Sequence, residues 1–376
     1  MPWKRRRFLY LGGLACGGGL AAIAQRLSPS VPLAATAPRA TFNLAQSRSP
    51  APTGLFAPRR GDVRLVVISD LNSQYGSVDY EPEVDRAIQL IPDWQPDLVL
   101  CGGDMVAGQK STLTVAQIQA MWAAFDRRVA APLRRAKIPF GFTIGNHDAS
   151  GALNSARRYL FDTERQLAAA YWRTPAHDPG LTFVDRAHFP FYYTFQQQQI
   201  FYLVWDASTA EIPEAQLTWV AQSLGSPAAQ AARLRIVIGH LPLYAVAVGR
   251  DHPGEFLNQA ERLRSLLEHY HVHTYISGHQ HAYFPGHRGE LDLLHAGALG
   301  SGPRPLLQSN LPPSKTLTIV DVHLANAATD YTTYDMKTLQ VIDQQQLPRR
   351  IDGPNGWVLR RDIPLTGKTA QAMQAI

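Results

Sequence analysis

The sequence predicts a layered α/β fold in which short apolar strands alternate with amphipathic helices. From residue 64 onward, short apolar runs alternate with longer stretches in which apolar residues recur with a helical period. Polar motifs of a similar kind directly follow five of these runs. In layered α/β folds, ligands bind outside the carboxyl ends of the strands, so we expect these motifs to meet in space.

Apolar runs that end at polar or turn-forming residues predict eight strands. They are residues 65–69, 98–101, 140–144, 200–205, 234–238, 274–277, 317–320 and 330–334. Helical periodicity, with acidic residues near several of the starts, predicts helices at 83–91, 115–135, 156–171, 213–224 and 255–270. The glutamine run at 196–199 predicts a hairpin turn before the next strand. We expect residues 369–376 to be loose.

The N-terminal segment predicts export from the cytoplasm. Arg5-Arg6-Arg7-Phe8-Leu9, followed by an apolar Gly- and Ala-rich stretch, resembles a twin-arginine signal. Ala35-Thr36-Ala37 offers a small-residue cleavage site. We therefore expect the protein in the periplasm or an equivalent compartment. The alternative is an uncleaved membrane anchor, because an apolar run of about 17 residues is near the minimum for a span.

Four regions follow from this division of the chain. Residues 1–37 are a signal peptide, and residues 38–61 form a linker rich in Pro, Ser and Ala. Residues 62–326 form the main domain, and residues 327–376 supply further strands and a polar tail. No segment after the signal is long and apolar enough to span a membrane.

Charge and cysteine content argue against a nucleic-acid partner and against an internal disulfide. The formal charge of the chain is +6, but nine basic residues and no acidic ones lie in the first sixty positions. Subtracting these nine leaves −3 for the rest, so we do not expect nucleic acid as a partner. The chain has two cysteines, Cys16 and Cys101. Removal of the signal would leave Cys101 alone, which excludes an internal disulfide in the mature chain.

Five motifs at the ends of predicted strands carry side chains that commonly ligate metals. They are Asp70-Leu71-Asn72, Gly103-Asp104, Gly145-Asn146-His147-Asp148, Gly239-His240 and Gly278-His279-Gln280-His281. Mixed oxygen and nitrogen donors of this kind suit Mn, Fe or Zn better than Ca. We expect the glycines where a strand turns sharply and brings its backbone close to the ions.

In order and type, these motifs resemble those of the calcineurin-like metallophosphoesterases, a family of two-metal phosphoester hydrolases. The resemblance covers residues 62–322 and implies a four-layer αββα sandwich of two mixed β-sheets flanked by helices. It also implies two divalent or trivalent metal ions with a shared carboxylate. By resemblance, the bridge is Asp104, the first ion is held by Asp70 and His281, and the second ion is held by Asn146, His240 and His279.

The resemblance implies hydrolysis by a metal-bound hydroxide, because two cations lower the pKa of the water between them. His147 is expected to contact the phosphate and to protonate the leaving alkoxide. Asp148 is expected to fix the tautomer of His147 through the other ring nitrogen. No serine or cysteine nucleophile is needed.

The chain departs from the family pattern at three positions. Most members carry a histidine where Asn72 stands, and Asn72 is the candidate ligand of the first ion at this place. Its amide oxygen is a poorer donor for Zn or Fe, so we expect that the first ion binds weakly, is a harder ion such as Mn, or recruits another ligand, for which Tyr75 is a candidate. Ala107 replaces the ligand tyrosine of the purple acid phosphatases, which argues against that branch. Pro285 replaces an arginine found in some phosphatases. Residues that either line the cleft or are simply solvated are His252, His287, His295 and Arg304.

The sequence therefore predicts an exported metal-dependent phosphohydrolase that cleaves small phosphomonoesters or phosphodiesters. One alternative is a binding protein on the same fold, in which Asn72 has disabled one metal position. The presence of His147 and Asp148, which binding alone does not need, argues against it. The other alternative is a nuclease, against which the absence of an interleaved basic and aromatic run argues.

Overall fold

The computed structural model describes residues 49–365. The predicted signal peptide, residues 38–48 of the predicted linker and the end of the chain that we expect to be loose lie outside the described residues. Within 49–365, no helix combines the length and the apolar character needed to cross a bilayer.

Strands and helices alternate along most of the described chain. The strands are β1 (Val63–Ile68), β2 (Leu98–Cys101), β3 (Phe140–Phe142), β4 (Phe183–His188), β5 (Tyr192–Gln197), β6 (Ile200–Val204), β7 (Leu234–Ile238), β8 (Thr274–Ser277), β9 (Tyr283–Arg288), β10 (Leu291–Ala296), β11 (Thr316–His323), β12 (Ala328–Asp335), β13 (Gln340–Val341), β14 (Arg350–Gly353) and β15 (Gly356–Arg360). The helices are α1 (Pro82–Leu90), α2 (Val115–Phe125), α3 (Ala131–Arg135), α4 (Asn146–Ala149), α5 (Asp162–Arg173), α6 (Glu214–Leu224), α7 (Pro227–Ala231) and α8 (Ala260–His269).

The strands form two mixed sheets, which confirms the predicted α/β class. The six-stranded sheet has the order β13-β12-β11-β1-β2-β3, and the nine-stranded sheet has the order β14-β15-β9-β10-β8-β7-β6-β5-β4. The strands β1, β2 and β3 run parallel, as do β6, β7, β8 and β10. The Tyr193 hydroxyl of β5 donates to the Phe142 carbonyl of β3 at 2.6 Å, which joins the two sheets. Trp172 of α5 stacks on Phe142 at 3.8 Å between ring centroids.

The predicted helices are present, with shifted starts. The stretch predicted at 115–135 is continuous, and a π-helical turn at Asp126–Ala130 joins α2 to α3. Helix α5 begins at Asp162 rather than at 156, because the Asn154 side chain accepts hydrogen bonds from Ala156 N–H and Arg158 N–H and stabilises a turn there. Helix α8 begins at Ala260 rather than at 255.

The C-terminal region predicted at residues 327–376 supplies strands to both sheets, since β12 pairs with β11 and β15 pairs with β9. One predicted strand is longer than the observed one. The strand predicted at 140–144 ends at Phe142. Strand β9 has no clear sequence signal, since Pro285 and Gly286 are unfavourable in strand interiors. The glutamine turn is confirmed, with Gln198 and Gln199 both at positive φ between β5 and β6.

The five motifs follow β1, β2, β3, β7 and β8, and their backbones are in direct contact. The Asp70 N–H donates to the Gly103 carbonyl at 2.9 Å, and the Gly278 N–H donates to the His240 carbonyl at 3.0 Å. A Cβ atom at Gly278 would clash with the Ser69 hydroxyl. Glycine is therefore required at this turn, as the sequence predicts, for the loops after β1 and β8 to approach each other.

Candidate metal centre

One group of ligand-type side chains contains Asp70, Asp104 and His281. A potential ligand atom from each lies within 4.8 Å of the other two. His281 Nε2 lies 3.2 Å from Asp70 Oδ1. The other ring nitrogen, Nδ1, lies 2.9 Å from the Gly302 carbonyl, so Nδ1–H donates to that oxygen and leaves Nε2 toward the carboxylates. We call this group the first position.

A second group contains Asn146, His240 and His279. Asn146 Oδ1 lies 2.9 Å from His240 Nε2 and 3.0 Å from His279 Nδ1. On the far sides of the rings, His240 Nδ1 lies 2.7 Å from the Gly102 carbonyl, and His279 Nε2 lies 2.8 Å from Glu255 Oε2. These outer acceptors hold the ring protons away from the group, so both inner nitrogens can bind a metal. We call this group the second position.

Asp104 belongs to both groups. Its Oδ2 lies 3.3 Å from His240 Nε2, and its Oδ1 accepts the His147 N–H at 2.8 Å. Burial would raise the pKa of Asp104, but the neighbouring His240 and His147 hold it well below its ordinary value. A carboxylate that is shared in this way stands where a bridging ligand is needed.

The two histidines of the second position have opposite pKa shifts. Burial would lower the pKa of His240, but the charge of Asp104 and a hydrogen bond to it raise the pKa to about 9. Burial lowers the pKa of His279 to about 4, although Glu255 acts in the opposite direction. Below about pH 9 and without a metal ion, the Nε2 of His240 therefore carries a proton, which lies between Asn146 Oδ1 and Asp104 Oδ2.

Strained backbone supports the ligand side chains. Asp70, Asp104, His279 and His281 have φ values of 51°, 54°, 63° and 54°, in the left-handed region that non-glycine residues seldom adopt. Such conformations cost of order 1–3 kcal/mol each and persist where the surrounding structure enforces them, often at functional sites. Their occurrence at four of the predicted ligand positions is independent of the sequence motifs.

The donor set fits two metal cations. Each position combines the shared carboxylate with imidazole nitrogen, and the inner atoms of His279, Asn146 and Asp104 offer lone pairs to a common space. A single proton can satisfy only part of such a cluster, whereas a metal ion accepts all of these donors together. The first position is richer in oxygen donors and the second is richer in nitrogen donors.

His147 lies at the edge of the centre. Its Nε2 is 3.9 Å from Asp104 Oδ2, and 14% of its side chain is exposed. Its Nδ1 lies 3.1 Å from the Gly108 carbonyl. The expectation that Asp148 fixes the tautomer of His147 is therefore wrong, because the Gly108 carbonyl accepts this hydrogen bond.

Asp148 instead connects the loops after β2 and β3. Its Oδ1 accepts the Met105 and Val106 N–H groups at 2.7 and 2.9 Å, and its Oδ2 accepts the Gly145 N–H at 2.8 Å. Burial and the charge of Asp104 raise the pKa of Asp148 to about 7. The carboxylate supports the loop geometry and does not contact the imidazole of His147.

Asn72 lies next to the centre, whereas Tyr75 lies beside His147. The backbone of Asn72 lies beside the centre, where its N–H donates to the Asp104 carbonyl at 3.1 Å. Among the described residues, its side chain has no hydrogen-bond partner. The Tyr75 ring packs against the His147 ring at 5.0 Å between centroids, and Tyr75 is 55% exposed. Tyr75 therefore lies beside His147 and is not part of the first group.

The other cleft candidates separate into two sets. His287 and His295 lie on β9 and β10 rather than in loops, and His295 is buried between the Tyr244 and Phe284 carbonyls. Arg304 lies beside the centre, where its N–H donates to the His281 carbonyl at 2.9 Å. His252 is exposed, and its Nε2 lies 3.9 Å from Glu255 Oε1.

Sequence reasoning missed three supporting side chains. Gln109 Oε1 accepts the amide N–H of Asn146 at 2.7 Å, which turns the Asn146 oxygen toward the histidines. Glu255 accepts from His279 and forms an ion pair with Arg250. Gln280, between the two histidines of its motif, is fully buried. Only Gln280 had a sequence signal, because it lies inside a motif.

Comparison with known proteins assigns the region that carries the five motifs to a protein family. The family model for calcineurin-like phosphoesterases matches residues 63–283, which is more than half of the chain. No curated protein matches the sequence.

Two solved structures are similar to this chain at low sequence identity, and the first of them shares its fold. The purple acid phosphatase PPD1 from yellow lupin (Lupinus luteus) seeds is 16% identical with a TM-score of 0.53, over 76% of this chain and 54% of that chain. This chain therefore spans about half of the lupin protein. GAP50, the anchor in the inner membrane complex of Plasmodium, is 14% identical with a TM-score of 0.48, over 83% of this chain and 93% of that chain.

Proposed function

The chain belongs to the calcineurin-like phosphoesterase family, and from this premise we propose that it is an exported, metal-dependent enzyme that cleaves small organic phosphoesters. The observation that carries this proposal is the shared position of Asp104. Its carboxylate lies within reach of the first position and of His240 in the second. A catalytic pair of cations needs a shared ligand of this kind.

The residues of the two positions would hold the ions in distinct environments. Asp70 and His281, with Asp104, would hold one ion, and Asn146, His240 and His279, with Asp104, would hold the other. The donor types favour Mn, Fe or Zn. Bound there, the ions would lower the pKa of water and neutralise charge on the phosphoryl oxygens.

His147 is the proposed general acid. Its hydrogen bond to the Gly108 carbonyl places the proton on Nδ1 in the neutral ring, so Nε2 faces the centre and exchanges protons there. Its partial exposure lets a substrate oxygen approach Nε2. In this role, protonated Nε2 donates to the leaving alkoxide, and the Gly108 carbonyl keeps the ring oriented throughout.

A small substrate suits the charge of the folded body better than a nucleic acid does. Without its N-terminal sixty residues, the chain carries a formal charge of −3, which disfavours binding along a phosphate backbone. Export rests on the twin-arginine pattern alone. An intact-mass measurement on protein from expressing cells tests it: a mature species that begins near Pro38 is expected, and retention of residues 1–37 would contradict cleavage.

The activity is tested with purified protein, first metal-free and then with Mn, Fe or Zn, on a model phosphomonoester and a model phosphodiester. We expect metal-restored turnover that His147→Ala lowers by about 10²- to 10⁴-fold while two ions stay bound. The loss should be smaller for a nitrophenolate leaving group, which needs no proton. Two bound ions without turnover of either ester would favour the alternative of a binding protein.

A further inference from the structure

The outer side of His279 has two neighbours that demand opposite tautomers of its ring. Its Nε2 lies 2.8 Å from Glu255 Oε2 and 3.3 Å from Arg250 Nη1. An ionised carboxylate only accepts hydrogen bonds, and a guanidinium only donates them. The neutral ring therefore either donates from Nε2 to Glu255 or accepts at Nε2 from Arg250.

These two states differ at the inner nitrogen. When Nε2 carries the proton, the Nδ1 lone pair faces Asn146 Oδ1 at 3.0 Å and is free to bind a metal. When Nε2 accepts from Arg250, the proton moves to Nδ1 and donates to Asn146, and this ring cannot ligate. The shorter contact to Glu255 favours the first state.

We propose that Glu255 is a positioning residue that selects the metal-binding tautomer of His279 and thereby sets the affinity of the second position. The Glu255 carboxylate also forms an ion pair with Arg250, which keeps the guanidinium from donating to His279. The inference rests on the proposed function only in treating the second position as a metal site.

The loop that carries Glu255 is held in place independently of this carboxylate. Gln280 Oε1 accepts the N–H groups of Val246 and Ala247 at 2.9 and 3.0 Å. Gln280 Nε2 donates to the carbonyls of Arg250 and Glu255 at 3.1 and 3.0 Å. A change in the Glu255 side chain therefore leaves the backbone contacts of the loop intact, and its effect on His279 can be isolated.

The test is a double-mutant cycle with Glu255→Ala, Arg250→Ala and the double variant. Glu255→Ala should weaken the second ion by about 10- to 100-fold, the range typical for the loss of an outer partner of a ligating histidine. Arg250→Ala alone should change this affinity little, because Glu255 still accepts from His279. The double variant should regain part of the loss, because the competing donor is gone.

Two readouts need no substrate. The first is metal content after dialysis against graded chelator, which should fall from two ions to one in Glu255→Ala at a concentration that leaves the parent protein loaded. The second is the nitrogen-15 shift pattern of His279 in metal-free protein, which should change from the Nε2–H to the Nδ1–H tautomer. Asp251→Asn, in the same loop, is the matched control, since its side chain accepts from the Gly249 N–H and does not contact His279.

An unchanged tautomer and unchanged metal content in Glu255→Ala would overturn the inference. So would equal losses in the single and double variants, because a merely structural role predicts no recovery. If Glu255→Ala does not fold, Glu255→Gln tests the same point: its amide can donate as well as accept, so a smaller loss of the second ion is expected and an unchanged affinity contradicts the proposal. Turnover by the parent protein tests the proposed function separately.

Discussion

The two metal positions share Asp104 but differ in how their other side chains are supported. In the second position, Asn146 is fixed by Gln109, His240 by the Gly102 carbonyl and His279 by Glu255. In the first position, the structure gives outer partners to Asp70 and His281, but none to the side chain of Asn72 among the described residues. Outer partners raise metal affinity by orienting ligands. We therefore expect the second ion to stay bound longer than the first when metal is withdrawn.

The donor chemistry of the two positions differs as well. The first position has two carboxylates and one imidazole, whereas the second has one shared carboxylate, one amide and two imidazoles. Oxygen donors suit harder ions such as Mn, and imidazole suits Zn and Fe. One shared carboxylate therefore joins two groups of donors that favour different metal ions.

The largest effect is expected from Asp104→Asn, which affects both positions together. Removing the shared charge should lower the affinity for both ions by more than about 100-fold. The loss of an outer partner of a ligand costs no more than about 100-fold. Turnover should fall with metal content. Metal analysis and hydrolysis of a model ester check this, with Asp251→Asn as the control. Loss of one ion only would mean that Asp104 is not shared.

Affinity at the second position should depend steeply on pH. Because the pKa of His240 is raised to about 9 in the metal-free protein, an ion must displace a proton below that pH. Chelator competition should therefore give an affinity that rises about tenfold per pH unit between pH 6.5 and 8.5. An affinity that does not change with pH would show that His240 is already neutral in the metal-free protein.

The same shift makes a prediction for the stability of the metal-free protein. The folded pKa of His240 lies above the unfolded value of about 6.5, so its contribution to the free energy of unfolding is fully present below that pH. This contribution is lost as the pH rises through about 9. Denaturant unfolding of metal-free protein at pH 7 and pH 9.5 measures it, and metal-loaded protein should not show this loss.

The sequence predicts the fold class and the meeting of the motifs because both follow from local patterns. Buried strands such as β2 and β6 are uninterrupted apolar runs, and ligands in such sheets bind at the carboxyl ends of the strands. Strand β9 could not be predicted because Pro285 and Gly286 interrupt the residue pattern that is typical of a strand. The left-handed φ of Asp70 is likewise invisible, since aspartate gives no strong signal for it.

The support of the site could be predicted much less well than its ligands. Glu255 and Gln109 lie in loops that are remote in sequence from the side chains they hold, and neither belongs to a motif. For Asp148, the sequence predicted a contact that the structure lacks. Asp148 is adjacent to His147 in the chain, but at the start of α4 the two side chains have different hydrogen-bond partners. Neighbours in sequence on a helix do not face each other.

The substitution Asn72→His tests whether the first position is weakened by its amide. An imidazole there would add a stronger donor for Zn or Fe, so we expect the first ion to bind about tenfold more tightly, which corresponds to about 1.4 kcal/mol. The affinity of the second position should stay unchanged. Separate titration of the two sites with Zn and with Mn checks this. No change at the first position would mean that another ligand already completes it.

The smallest effect is expected from Gln109→Ala, which removes the partner that orients the Asn146 amide. Gln109 accepts the amide N–H at 2.7 Å, and without it the Asn146 oxygen is no longer held toward His240 and His279. One hydrogen bond contributes about 1 kcal/mol, so the second ion should bind about fivefold more weakly. Chelator competition measures this, with the exposed Gln119→Ala as control. Weaker metal binding at the first position instead would contradict the assignment of Asn146 to the second position. In the described part of the chain, the Asn146 oxygen contacts His240 and His279, which both belong to the second position.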